Sequence, residues 1–176
     1  MIKNPKLIIY KTDTVYGLGC RIFDDDSVSK IYSLKGKDFK DNLSFLVSDP
    51  KEIPYYASVS NAQMSKIKEL LKKGSHYTFV LEKRFDMHAN ISHDDEVGIR
   101  IIQNPEITRL IERFGPLVTT SANIHGESAP KRFEDISPTI ISAVKKERGL
   151  IINGGDCYYG KPSIVYDLVH DRIKRE

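Results

Sequence analysis

The chain reads as an α/β domain built on a twisted, open, mixed sheet with flanking helices, and three observations predict it. Short apolar runs rich in β-branched and aromatic residues recur from residues 7–10 to residues 164–169. Segments of helical spacing alternate with them along the whole length, the pattern of interleaved strands and helices. The composition, 40% hydrophobic and 29% charged over 176 residues, is that of a packed globular protein, with disorder expected only at the ends. A single domain spanning residues 1–176 is expected, since a chain of this size buries roughly 70% of its unfolded surface without a metal or disulfide staple.

Taken in order, Leu7, Ile8, Ile9 and Tyr10 form a buried strand that delivers Lys11, Thr12, Asp13 and Thr14 at its C-terminal end. The stretch Asp24 to Ser27 offers helix caps, Val28, Ile31, Tyr32 and Lys35 keep helical spacing, and Gly36 is the stop. Residues 44–47 predict a strand. Residues 61–72 predict an amphipathic helix with Met64, Ile67, Leu70 and Leu71 on one side. Residues 77–81 and 97–102 predict two more strands, and Pro105 opens a helix with Ile107, Leu110, Ile111 and Phe114 as its apolar face. Residues 117–120 are strand-like, Ser137 and Pro138 begin another helix, and residues 150–152 and 164–169 give the last strands. Lys174, Arg175 and Glu176 read as a frayed polar tail. No repeat, linker or low-complexity tract interrupts the pattern.

Bulk properties exclude several classes. The net charge of +3, from 27 basic and 24 acidic residues, suits anionic ligands but is no nucleic-acid footprint by itself. Two cysteines, Cys20 and Cys157, make neither a disulfide framework nor a Cys-x-x-Cys zinc site. The longest apolar run near the N-terminus has four residues, so no leader or membrane span is expected, and a reducing cytoplasm is the expected compartment.

Four clusters could carry chemistry, and each has a plain alternative. The segment from Lys11 to Cys20 places small hydroxyls and two glycines after a strand, where open α/β sheets bind ligands; a turn built on Asp13 would use the same residues. Lys35, Lys37 and Lys40 could form a mobile, ligand-facing loop over residues 35–42 that stabilises phosphate charge, or be a solvated basic loop. Arg100 interrupts an apolar strand, on the face opposite Ile99 and Ile101. A guanidinium there needs an anion, either a substrate carboxylate or an internal salt-bridge partner. Thr119, Thr120, Ser121 and Asn123 bunch after a strand, as phosphate and ribose ligands or as caps. His88 and His93 among acidic neighbours read as a solvated loop, and no metal site is expected. Neither a Walker loop nor a Gly-x-Gly-x-x-Gly fingerprint occurs.

The combination carries a resemblance that no single cluster does. The run Thr12-Asp13-Thr14-Val15-Tyr16-Gly17-Leu18-Gly19 is followed by Lys35-Gly36-Lys37, Leu43-Ser44-Phe45-Leu46-Val47 and Val97-Gly98-Ile99-Arg100-Ile101. Thr120-Ser121-Ala122-Asn123, Gly154-Gly155 and Lys161-Pro162-Ser163 come next. In order and spacing, over about residues 7–168, this resembles the YrdC/TsaC family of threonylcarbamoyl-AMP synthases, in its short, single-domain form. The resemblance implies a basic cavity and an ATP-consuming nucleotidyltransferase. L-Threonine, bicarbonate and ATP become threonylcarbamoyl-AMP and pyrophosphate, and a separate transferase complex then modifies tRNA to N6-threonylcarbamoyladenosine. It also implies that Thr14, Arg100 and Ser163 hold threonine, with Arg100 on its carboxylate. Lys35, Lys37, Thr120, Ser121 and Asn123 would hold the nucleotide, with Lys35, Lys37 and Arg100 carrying the catalytic charge. Mg²⁺ would ride on the triphosphate.

The chain departs from the family pattern where Lys37 replaces an arginine, where prolines are missing from residues 38–42, where Gly74-Ser75-His76 stands in place of Pro-Gly-Pro, and where Ile102 stands in place of a proline. Two other readings stay open: a structured-RNA-binding module that uses the basic loop, and a carbamoyl-transfer domain like that of hydrogenase-maturation carbamoyltransferases.

Overall fold

The computed structural model describes residues 4–36, 42–74, 76–84 and 91–175. Within them the chain runs β1 (Ile8–Tyr10), β2 (Gly17–Arg21), α1 (Asp25–Lys35), β3 (Ser44–Val47), α2 (Ile53–Tyr56), α3 (Asn61–Leu71), β4 (Tyr77–Glu82) and β5 (Glu96–Ile101). It continues through α4 (Pro105–Phe114), β6 (Leu117–Ser121), α5 (Pro138–Lys146), β7 (Leu150–Ile151), β8 (Ile164–Asp167) and β9 (Arg172–Arg175). The described strands join one nine-stranded sheet in the order β7-β1-β2-β6-β3-β5-β4-β8-β9. It is mixed: β1 with β7, β3 with β5 and β4 with β8 are parallel, and the other neighbours are antiparallel.

The helices begin and end where local chemistry sets them. Asp24 caps α1 by accepting from the Ser27 amide at 3.2 Å, and Gly36 closes it in a left-handed conformation (φ 62°) that costs other residues strain. Asn104 caps α4 through the amides of Glu106 and Ile107, with Pro105 in the first turn. Ser60 and Gln63 form a reciprocal capping box on α3.

Alternation along the strands sorts the side chains into two faces. On one face Leu18, Cys20, Phe45, Val47, Phe79, Leu81, Ile99, Ile101 and Val118 form the main core with residues of α1, α3 and α5. On the other, Ile8, Tyr10, Leu46 and Leu117 pack against Ile107, Leu110 and Ile111 of α4. That second cluster covers only part of its face. Beyond it the register places Ser44 beside Gly98 and Thr119, and the sheet surface turns polar.

Three elements differ from the sequence expectation. Residues 17–21 form a central strand instead of a glycine turn. A Cβ on Gly17 would lie 2.7 Å from the Tyr10 ring, and one on Gly19 would collide with the Val118 carbonyl. The glycines therefore let Tyr10 lie flat across β2, which strand propensity cannot reveal. The short α2 has no sequence period to announce it. Lys174 and Arg175, expected in a frayed tail, belong to the edge strand β9; Glu176 lies outside the described residues. Lys174 anchors the strand to Glu96 at 2.7 Å, and Arg172 and Lys174 reach Asp167 at 3.5 and 3.4 Å.

Candidate functional site

A polar cavity opens where α4 stops covering the sheet. It has a volume of about 170 Å³, and its wall includes Thr12, Thr14, Ser44, Thr78, Arg100, Thr119 to Ser121, Ser163 and Arg175. A second hollow of about 250 Å³ adjoins it, sharing Asn42, Leu43, Ser44, Thr78 and Arg175, and continues toward Asp94 and Glu96. A third, of about 410 Å³, lies between residues 49–54 and α3 and contains none of the sequence-predicted residues. The first cavity is where three of the four sequence clusters meet: the turn after β1, Arg100, and the hydroxyl run of Thr119 to Ser121. It is built from the turn after β1, the ends of β3 and β6, the middle of β5, and the segment before β8.

Arg100 stands at the seam between the apolar and polar halves of this face, paired in register with Leu46. It is 6% exposed. Its Nη1 donates to Thr14 Oγ1 at 2.9 Å, and its Nη2 makes an ion pair with Asp13, whose side chain is 28% exposed. Burial pulls its pKa below the usual guanidinium value; Asp13 and Tyr10 oppose that pull, and the nearby positive charge of Arg175 adds to it. The two possibilities left open by the sequence thus coexist: Arg100 has an internal carboxylate partner and also lines a cavity.

The turn after β1 is organised by Thr12, not by Asp13. Thr12 Oγ1 accepts from the amides of Thr14 and Val15 at 3.1 and 3.2 Å and donates to the Val15 carbonyl at 2.6 Å. A strap of residues 153–162 holds the turn from outside. The Tyr159 amide donates to the Asp13 carbonyl at 2.7 Å, and the Gly160 amide to the Thr14 carbonyl at 2.9 Å. The Tyr159 ring stacks on His76 with centroids 4.7 Å apart, and His76 stacks on Tyr77 at the start of β4. The Tyr16 hydroxyl donates to the Gly155 carbonyl at 2.8 Å and accepts from the Gly154 amide at 3.1 Å. Backbone bonds and ring stacking thus fix the turn that brings Thr12 and Thr14 to the cavity.

The other predicted residues separate. Ser163 is buried and exchanges a 2.9 Å hydrogen bond with Thr78, on the cavity wall. Thr120 and Ser121 also line it. Lys35 corrects the loop expectation: it is the last residue of α1, 2% exposed, and absent from the cavity wall. Asn123 is likewise off the wall, and its Nδ2 donates to the carbonyls of Ile124 and Glu127 at 3.0 and 2.7 Å. Lys37 and Lys40 lie outside the described residues, as does His88.

Arg175 is the residue that sequence reasoning missed. Its guanidinium donates to the Ser163 carbonyl at 3.0 Å and to Ser163 Oγ at 3.3 Å, and burial lowers its pKa. It reaches the cavity only because β9 pairs with β8. The one available signal was the alternation of Arg172, Ile173, Lys174 and Arg175.

Among the described residues, Glu96, Asp167 and His170 bring three potential metal-ligand atoms within 4.8 Å of one another. Lys174 sits on both carboxylates and Arg172 on Asp167, so the cluster's charge is balanced by protein cations. What the cavity offers chemically is cationic and hydroxyl recognition of anions. It has two guanidiniums, a row of hydroxyls, and no arranged nucleophile–base pair among its lining residues.

Comparison with known proteins gives this arrangement a context. The family model for Sua5, YciO and YrdC proteins, described as telomere recombination, matches residues 1–176. A Methanocaldococcus jannaschii protein that carries a provisional threonylcarbamoyl-AMP synthase name is 34% identical over 98% of this chain and 79% of its own length. The crystal structure of P. abyssi Sua5 complexed with L-threonine superposes with a TM-score of 0.79 at 27% identity. It covers 94% of this chain, which spans about half (48%) of that longer protein. The crystal structure of E. coli YciO has the same TM-score of 0.79 at 28% identity, over 97% of this chain and 82% of its own. That relative is named uncharacterized.

Proposed function

Because the chain belongs to the Sua5/YciO/YrdC family, we propose that it is an L-threonylcarbamoyladenylate synthase. It would condense L-threonine, bicarbonate and ATP into threonylcarbamoyl-AMP and pyrophosphate, for N6-threonylcarbamoyladenosine formation in tRNA. The observation that carries this reading is the buried Arg100 guanidinium in the wall of a hydroxyl-lined cavity, beside Thr14. The P. abyssi relative crystallised with L-threonine has the same fold. An α-amino acid presents one carboxylate to such a fork.

In this reaction the substrates supply the nucleophiles. The threonine amine adds to CO₂ or bicarbonate, a carbamate oxygen attacks the α-phosphate, and pyrophosphate leaves. The protein's work is positioning and charge stabilisation, which fits a cavity without an arranged nucleophile–base pair. Arg100 and Thr14 hold the threonine carboxylate, with Ser163 closing the pocket. Thr120 and Ser121, together with Lys37, receive the nucleotide. Arg175 adds a second cation, and the mutual repulsion of Arg100 and Arg175 is relieved when an anion sits between them. Magnesium would arrive on the triphosphate and not in a protein cage: among the described residues the cavity wall carries no carboxylate, and the Glu96–Asp167–His170 group is already balanced by Lys174 and Arg172.

Among the described residues no helix is long and apolar enough to cross a membrane. The reading places the reaction in the cytoplasm, with a tRNA-modifying transferase complex as the acceptor of the product. The test is pyrophosphate release from ATP and bicarbonate with and without L-threonine. Threonine-dependent release, with threonylcarbamoyl-AMP detected by mass, supports the assignment; release that threonine does not increase removes it.

A further inference from the structure

Lys35 reads in sequence as a phosphate-facing cation, yet its ammonium turns into the protein. It donates to the Ser121 carbonyl at 2.7 Å, to the Asn123 carbonyl at 2.8 Å and to Asn123 Oδ1 at 3.2 Å. All three acceptors lie at the end of β6 and in the turn that follows it. The Lys35 carbonyl in turn accepts from the His125 amide at 2.8 Å. One residue at the end of α1 thereby grips the chain on both sides of Asn123, just where β6 delivers Thr119, Thr120 and Ser121 to the cavity wall.

Asn123 completes the brace by donating to the carbonyls of Ile124 and Glu127. A turn of this kind ends a strand with several backbone carbonyls lacking ladder partners. Here one buried ammonium satisfies two of them, the carbonyls of Ser121 and Asn123.

We infer that Lys35 is a positioning residue. It fixes the Ser121–Asn123 turn, and through it the hydroxyl wall of the cavity, without itself touching the nucleotide. The activity readout of this inference rests on the proposed reaction; its structural readout does not.

The experiment compares Lys35→Met, Asn123→Ala and the double variant of the full chain. AMP and ATP affinities are measured by calorimetry, and the backbone amide signals of residues 119–125 are recorded without ligand. Three results are expected. Lys35→Met weakens ATP by about tenfold, the weight of a charge-assisted hydrogen bond. Asn123→Ala, although off the wall, reproduces most of that loss, and the double variant adds little, as coupled partners require. The amide signals of Ser121 and Ala122 move in unliganded Lys35→Met.

Additive losses in the cycle, or a loss from Lys35→Met that grows from AMP to ATP while those amide signals stay in place, would overturn the inference in favour of direct phosphate contact. If Lys35→Met does not fold, Asn123→Ala decides alone: wild-type ATP affinity in that variant sinks the idea. If the wild-type chain binds no ATP, the functional reading has failed, while the amide shifts still test the brace.

Discussion

The two halves of one sheet face share strands β3 and β6 and do opposite work. Under α4, Ile8, Leu46 and Leu117 are covered by Ile107, Leu110 and Ile111, and the surface is dry. A few residues along, Ser44, Thr78 and Thr119 carry hydroxyls on the same face, and no helix among the described residues seals them. Tyr10 and Arg100 stand on the boundary. Tyr10 donates from the apolar side to Thr119 at 2.8 Å, and Arg100 turns toward Thr14. Stability is invested in one half and recognition in the other, so substitutions in each should separate the two properties.

The sharpest break of this comparison is at the seam. Arg100→Ala removes the guanidinium proposed to pair with the threonine carboxylate and should cost about 2–5 kcal/mol of threonine binding. Threonine-dependent pyrophosphate release should fall by roughly 30-fold or more on the same scale. Arg100→Lys should recover only part of it, because an ammonium lacks the planar fork. Equal activity of Arg100→Ala and wild type would show that the guanidinium serves the fold alone.

On the covered half, Ile107→Ala should destabilise the protein by about 2–5 kcal/mol through lost burial and a residual cavity. Thermal unfolding should report this, while the KM for threonine measured well below the transition stays at its wild-type value. A raised KM would mean that the apolar half also shapes the site.

A third test probes how β9 holds Arg175 in place. Asp167 is fully buried. Burial raises its pKa, but the His170 amide and side chain and the Lys174 cation outweigh burial and leave it below the usual carboxylate value. A carboxylate with a depressed folded pKa binds fewer protons folded than unfolded near that value. Its stabilisation is therefore complete above the unfolded value of about 3.9 and is lost as pH falls through the lower folded value. Asp167→Asn should be less stable than wild type at neutral pH and should show a shallower loss on acidification below about pH 4. Parallel stability curves for the two proteins in acid would contradict this.

The smallest effect is expected at the hydroxyl pair. Replacing both Thr78 by Val and Ser163 by Ala removes their mutual hydrogen bond and the longer one from Arg175 to Ser163 Oγ, while Arg175 keeps its bond to the Ser163 carbonyl. Stability should change by only about 1 kcal/mol. Threonine KM should nonetheless rise by roughly fivefold, the value of one modest hydrogen bond. An unchanged KM would place Ser163 outside the substrate's reach.

Much of this fold is legible from local chemistry. The periods of β3, β4, β6, α3 and α4, the Asp24 and Asn104 caps and the Gly36 stop follow from residue type and spacing, because each depends on neighbours within a few positions. β2 and β9 were not legible. A strand built on Gly17 and Gly19 makes sense only once the Tyr10 ring lies over it, and four residues at the chain's end become a strand only when β8 offers an edge.

The site divides in the same way. The sequence alone determined which chemical groups were available: an arginine inside an apolar strand, a Thr-Asp-Thr turn, a hydroxyl run and two lysines around a glycine. Only the tertiary structure decided their use. It joined Arg100 to Asp13 and Thr14 across 86 and more positions, turned Lys35 away from the cavity onto Ser121 and Asn123, and brought Arg175 to its rim. The physical reason is that a charged group's role is set by its nearest partner in space, and that partner is supplied by sheet register and helix packing, which neighbouring residues in sequence do not specify.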